Sequence, residues 1–359
     1  MKKPHSLSAA STPSKAAHFE SSACVAARPS KRSTASQGFN RVSGFTLIEL
    51  MISLTLGLIV VAAATLLLLT GQRSVAMQKG VAELQDNANF GLNYMTKDIR
   101  LTNLNTRSAA INDTTVYGGV VLTSANSAQS NIYLSTPLAA TLVSHNNGVS
   151  NVKDTAGDLN SDQLVIQYLP QYSLDKKTTA TDETDDEYVG GFDCEGNEIR
   201  YLKSSGLRMY VQRYFLRADN NKASNEGSPL ALACDAGYYP LNTPTAPVQN
   251  YGGAGEIIMK RVDHLRVLLG VQYANGTYRY LSVADYMALA VPRPRMLSVQ
   301  LGALVRSTQS VGAEAAVQTD QQFQVLDQTV QVKTSTDPKY IRQVVSQTIA
   351  LRNALGERE

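Results

Sequence analysis

Glu49 is the only charged residue in the 25 positions from Phe45 to Leu69. A carboxylate inside a segment otherwise fit for hydrocarbon costs about 2.5–3.5 kcal/mol on insertion scales, which makes it a functional candidate. The chemistry open to a lone carboxylate there is ion pairing. Because it lies only a few residues into the segment, its side chain can also reach toward lipid headgroups, and that is the purely structural alternative.

Other reactive residue types are sparse. Of the four histidines, His5 and His18 precede the apolar segment, while His145 and His264 stand alone and read as surface or satisfied core residues. The chain has no His-Glu-x-x-His and no Gly-x-Ser-x-Gly, and Gly252-Gly253-Ala254-Gly255 lacks the Lys-Ser/Thr that would hold phosphate. Asp158-Leu159-Asn160-Ser161-Asp162 opens like a calcium loop, but Gln163 replaces the turn glycine and Leu169 stands where the bidentate Glu belongs. Five acids in the six residues Asp182–Glu187 read as a solvated loop. No catalytic residue, metal ligand or cofactor is assigned, and the chain reads as non-enzymatic.

The elements that carry these residues follow from periodicity. From Leu50 to Leu69 there are 20 uncharged residues, the number an α-helix needs to cross about 30 Å of hydrocarbon. A cleaved secretory signal has a shorter apolar run and an Ala-x-Ala type site, and Thr70-Gly71-Gln72-Arg73 offers none. Beyond the span, Val81, Leu84, Ala88, Leu92, Met95 and Ile99 recur at spacings of three and four, and no Pro occurs from 45 to 103. The pattern predicts one helix over Phe45–Asn103, about 90 Å long, whose second half lies on a globular domain. Gly57, Gly71 and Gly80 are candidate points of bending.

After Thr106 the period changes to two. Leu164–Tyr168, Arg208–Arg217, Leu265–Tyr273, Met296–Arg306, Gln328–Lys333 and Val344–Leu351 read as strands, and Asn275-Gly276 as a hairpin turn. Residues 123–163, 173–198, 218–229 and 240–255 read as loops. The class is α+β, a long N-terminal helix packed on antiparallel sheet with large loops.

Charge fixes the orientation. The 359 residues carry 33 Lys+Arg and 30 Asp+Glu, a net of +3. Residues 1–44 hold seven basic residues and one acid, which is +6, so 45–359 carry 26 basic and 29 acidic residues, a net of −3. The basic excess flanks the span on its N-terminal side, which the positive-inside rule keeps in the cytoplasm while the rest is exported. A binder of nucleic acid would cluster that charge on its folded body, so that class is excluded.

Ser43-Gly44-Phe45-Thr46-Leu47-Ile48-Glu49-Leu50-Met51 resembles the type IV pilin signature, with its small Gly, aromatic residue, apolar stretch and Glu at the fifth position after the Gly. The resemblance implies a type IV pilin-like fold. It also implies that a prepilin peptidase cuts after Gly44 in the cytoplasm and methylates the new amino terminus on Phe45. Glu49 would then pair with the amino terminus of a neighbouring subunit during assembly. The implied organisation is a leader over 1–44, a transmembrane half-helix over 45–70, an amphipathic half-helix over 71–105 and a periplasmic β-rich domain over 106–359. A 44-residue leader is longer than the few basic residues usual in that family.

Phe192-Asp193-Cys194, Tyr214–Arg217, Leu232-Ala233-Cys234 and the ending Thr348–Asn353 narrow the resemblance to PilW-type minor pilins. The resemblance implies a structural subunit that helps start type IV pilus assembly near the tip. Its implied partners are other minor pilins, the major pilin and the inner-membrane assembly platform. A minor pseudopilin of a type II secretion system and a membrane-anchored periplasmic binding protein stay open as alternatives. Loss of the leader removes Cys24, so Cys194 and Cys234 remain in an oxidising compartment as a candidate disulfide.

Overall fold

Thr46 opens the first helix, α1, which runs from Leu47 to Ile99 in a computed structural model that describes residues 44–176, 185–223, 226–241, 243, 246–310, 321–333 and 340–355. Residues 1–43, with Cys24, His5 and His18, and residues 182–184 of the acidic run lie outside the described residues. Contacts divide the chain into two units, Met1–Ala62 and Ala63–Glu359. In the first unit the described part is the start of α1, where every residue is exposed. Helical structure continues through Gly57, Gly71 and Gly80, the three residues at which a bend was expected.

In the second unit the expected stripe forms the inner face of α1. Leu84, Ala88, Leu92, Met95 and Ile99 are between 0 and 7% exposed. Ala and Leu along this stretch are strong helix formers, and burial of the stripe supplies what propensity alone does not. The helix ends at Ile99 rather than at the expected Asn103, for a tertiary reason. Asn103 adopts a left-handed φ of 64°. Its amide donates to the carbonyls of Ser108 and Asn353, at 2.8 and 3.1 Å, and its Oδ1 accepts from Gly119 N–H at 3.0 Å. Asn is among the few residues that take this conformation cheaply, and three side-chain bonds hold it there.

Nine strands make the two main sheets: β1 His145–Gly148, β2 Ser161–Tyr168, β3 Arg208–Ala218, β4 Leu230–Pro240, β5 Glu256–Lys260, β6 Val262–Gln272, β7 Tyr278–Ser282, β8 Arg295–Arg306 and β9 Arg342–Ala350. The first sheet is an antiparallel meander in chain order, β1 to β5, and the second has the order β7-β6-β8-β9. Smaller sheets are built from Ser173–Asp175, Glu187–Phe192 and Glu198–Leu202, and from Val152–Lys153, Gln322–Val325 and Gln328–Val332. The α1 stripe shares one core with both main sheets, including Leu164 and Ile166 of β2, Leu232 of β4, Leu265 and Val267 of β6 and Leu301 of β8.

Each expected strand is present within a few residues of its expected bounds, and Asn275-Gly276 lies in the β6–β7 turn with Gly276 at φ 82°. Loop 173–198 differs from expectation, because Ser173–Asp175 pairs with Glu187–Phe192 inside it. Strand β4 was not expected. Its Leu-Ala-Leu-Ala-Cys sequence is buried on both faces between β3 and β5, which erases the period-two signal. The six-residue helix α2, Val283–Ala288, was also unforeseen; Ser282 caps it by accepting from Asp285 N–H.

Side chains tie the two main sheets together where β2 meets β6. Asp162 accepts from the Val267 N–H at 2.6 Å, and Ser161 Oγ accepts from the Leu265 N–H at 3.1 Å. A further buried cluster joins Asp219, Glu226 and Asp263 with Arg261, Arg306 and Arg342. In it Glu226 Oε1 accepts from Arg306 Nη2 at 2.6 Å, and Asp263 Oδ2 from Arg342 Nε at 2.8 Å. Three acids facing three arginines keep this interior neutral, which is the condition for burying charge at all.

Candidate functional site

The residues with an expected role fall into both units. Gly44, Phe45 and Thr46 precede α1 in non-helical backbone. Phe45 is 83% exposed, and a Cβ placed on Gly44 meets nothing within 4 Å. The Thr46 carbonyl accepts from Leu50 N–H at 3.1 Å, and Thr46 Oγ1 accepts from Glu49 N–H at 3.3 Å. The first is the opening bond of the helix, and the second satisfies a donor that a helix start leaves open. Thr46-Leu47-Ile48-Glu49 has the Thr-x-x-Glu spacing of a capping box, a signal present in the sequence but not used there. Glu49 therefore sits in the first turn, where the positive end of the helix dipole favours a carboxylate.

Cys194 and Cys234 are joined, with Cα atoms 6.1 Å apart and a sequence separation of 40. Cys194 follows the strand Glu187–Phe192, and Cys234 lies in the middle of β4 opposite Tyr214 of β3. Three polar contacts pin α1 around this bridge. The Asn87 amide donates to Lys260 O at 2.7 Å and accepts from Lys260 N–H at 3.1 Å, so it completes the edge of β5 as another strand would. Tyr94 donates to Cys194 O at 3.0 Å. The Tyr214 hydroxyl meets Asp98 Oδ2 at 2.9 Å.

The electrostatics here are acidic. Burial pushes the Asp98 carboxyl up, against the Tyr214 hydrogen bond that lowers it. Burial, then Asp98 and Asp193, push the Tyr94 phenol up. Glu195 is pushed up to about 7, first by burial and then by Asp193, Asp235 and Glu256.

The remaining candidates separate rather than converge. His264 is buried, with Nε2 2.9 Å from Gln328 Oε1 and Nδ1 3.2 Å from Ser161 Oγ; burial holds it down at about 4, so it is a neutral core residue. His145 is half-buried on β1, where Nδ1 accepts from Asn147 N–H at 2.9 Å. Asp158 pairs with Lys333 at 3.0 Å while Asp162 turns inward to Arg266, so the calcium-like stretch splits between two partners. The glycine-rich loop is filled by this chain's own carboxylate, since Gly252 and Gly253 N–H donate to Asp235 at 2.9 and 3.2 Å. Of the acidic run, the described end is not a solvated loop: Asp186 is buried near Lys203 Nζ at 3.8 Å, and Glu187 accepts from Arg200 at 3.0 Å. Among the described residues no three His, Cys, Asp or Glu side chains are grouped to hold a metal ion.

Comparison with known proteins places two matches on the chain. The family described as Type IV Pilus-assembly protein W matches residues 221–353, which run from the loop before β4 to just past β9. The prokaryotic N-terminal methylation motif matches residues 39–65, which include Gly44, Phe45 and Glu49. A solved structure of a type IV-like pilin from Thermus thermophilus is 10% identical, with 76% of this chain and 98% of that one covered, at a TM-score of 0.33. No curated protein sequence matches.

Proposed function

We propose that the chain, which matches the Type IV Pilus-assembly protein W family over residues 221–353 and the N-terminal methylation motif over 39–65, is a PilW-type minor pilin that helps start type IV pilus assembly near the tip. The observation that carries this reading is one chain holding both a methylation motif at an exposed, capped helix start and a pilus-assembly region in its β-rich part. The motif and the long apolar helix point to membrane anchoring.

In this reading prepilin peptidase cleaves between Gly44 and Phe45 and methylates the Phe45 amine. The N-terminal side stays cytoplasmic and the β-rich part is periplasmic. Glu49 then accepts the amine of a neighbouring subunit, another minor pilin or the major pilin, as the helix leaves the bilayer through the assembly platform. Physics gives this pairing its force: a charge that is expensive alone in apolar surroundings becomes a register mark when one partner position relieves it. The disulfide and the Asn87, Tyr94 and Asp98 contacts hold the C-terminal half of α1 to the sheets, so that traction on the helix is borne by the folded body.

Deletion of the gene, with pili counted and twitching scored, tests the reading. Loss or strong reduction of pili, restored by the wild-type gene, supports it. Unchanged piliation with failed protein secretion would favour the pseudopilin alternative.

A further inference from the structure

A groove of about 780 Å³ lies between the β6–β7 turn and the segment 289–294 that returns from α2 to β8. Its size is that of ordinary binding clefts, which span about 300–1,000 Å³. The walls are mainly apolar, with Tyr273, Leu289, Pro292 and Pro294 among them, and Val291 stands 66% exposed in the same segment. Pro292 and Pro294 fix φ and so limit how far that wall can relax inward.

The charges at the groove are of one sign. Arg293 is spent inside the fold, on Asp113 and on Met287 O. Arg295 is exposed, and its Nε and Nη2 both donate to the one neutral oxygen of Gln272, at 2.9 and 2.6 Å. Gln272 is itself held by its amide donating to Tyr278 Oη at 2.7 Å, which aligns it with the hairpin. Tyr278, which accepts from Gln272, is 67% exposed. Among the described residues no carboxylate lines the groove. The rim thus offers the Arg295 guanidinium, answered by a neutral amide, beside apolar walls and an exposed aromatic ring, the composition of a protein-docking surface.

We infer that this groove receives a peptide segment of another exported subunit, one that places an apolar side chain between Tyr273 and Pro292 and a carboxylate on Arg295. Charge complementarity selects the occupant: a neutral apolar segment leaves the Arg295 guanidinium without a carboxylate, and a basic one is repelled. The inference leans on the minor-pilin reading only for the source of the partner, since the groove itself lies wholly in the exported part.

A photo-crosslinking residue placed at Tyr273 of the full chain, expressed in its own bacterium, tests this. The predicted product is a crosslink to a segment of another pilus subunit that holds Asp or Glu within two residues of an apolar residue. Its yield should fall at least about tenfold in the Arg295→Glu variant, as like charges meet across the rim. Reversal of the mapped acid to Lys should restore it. Unchanged thiol protection of Cys194 and Cys234 in the Arg295→Glu variant excludes misfolding as the cause. Crosslinks to lipid, to a second copy of this chain, or to a segment without acid, and a yield indifferent to charge reversal, each overturn the proposal. Recovery of the chain in sheared pili, scored in the same strains, separates this failure from failure of the minor-pilin reading.

Discussion

The Tyr214 hydroxyl meets Asp98 Oδ2 at 2.9 Å in the core, joining the last turn of α1 to the middle of β3. Asp98 stands at the negative end of the helix dipole and is buried, two conditions that both disfavour its charge. The hydroxyl is the neighbour that offsets them most, ahead of Lys97. Tyr214→Phe should therefore destabilise the detergent-solubilised chain by about 1–3 kcal/mol at pH 7, the cost of stranding a buried polar group. Asp98→Asn should cost less, because the amide removes the charge that burial opposes. Chemical denaturation compares the two; a larger loss for Asp98→Asn would contradict this assignment.

Gly91 separates packing from propensity. A Cβ there would stand 2.5 Å from Met259 Cε and 2.8 Å from Met259 Cβ, whereas at Gly71 of the same helix it meets nothing within 4 Å. Ala is favoured over Gly in a helix by about 1 kcal/mol, while overpacking costs about 1–3 kcal/mol. Gly71→Ala should be neutral or stabilising and Gly91→Ala destabilising, as read by thermal unfolding.

Asp162 and His264 predict opposing pH dependences. Asp162 is pushed from its ordinary 3.8 to about 6 by burial, which outweighs Arg266 because that guanidinium sits closer to Asp327, at 2.7 Å, than to Asp162, at 3.3 Å. A raised folded value contributes stability below pH 3.8 that is lost as pH rises through about 6. His264 is held down from 6.5 to about 4, so its contribution is present above pH 6.5 and lost as pH falls through about 4. In the wild type the two slopes offset each other across pH 4 to 6. Relative to the wild type, Asp162→Asn should shift the slope of stability against pH upward in that window, and His264→Gln should shift it downward. Parallel slopes in the two variants, measured by urea unfolding, would rule the pairing out.

Much of this fold is written in the sequence, and the parts that are not have a physical reason. The α1 stripe and most strands are legible because one face is apolar and the other is not. Strand β4 is illegible because both its faces are buried, and the stop at Ile99 because Asn103 bonds to residues as distant as Asn353. The pairing of Cys194 with Cys234 is legible because they are the only two cysteines beyond residue 44. The neutral cluster of Arg261, Arg306 and Arg342 with three acids is invisible to any local reading, since each residue looks like surface charge until the sheets meet. At the candidate site, Gly44, Phe45 and Glu49 stand out through their resemblance to the type IV pilin signature, and their roles are part of the proposal. Thr46 carried its own capping signal, and Tyr94 and Asn87 carried none.

Glu49→Ala should be processed at the 44–45 bond as the wild type is, yet be depleted about tenfold or more from sheared pili, as an interaction near 1.4 kcal/mol or stronger requires. Glu49→Asp should recover part of the loss, since the charge returns on a shorter arm. Immunoblots of membrane and pilus fractions read both. Equal recovery of the Ala variant and the wild type in pili would remove Glu49 from the assembly step.

The most direct measurement is the N-terminal residue of this chain purified from sheared pili, read by mass spectrometry. A terminus at Phe45 bearing one methyl group on its amine is the predicted result. A chain found only in the membrane, with residues before Phe45 still attached, would contradict the account.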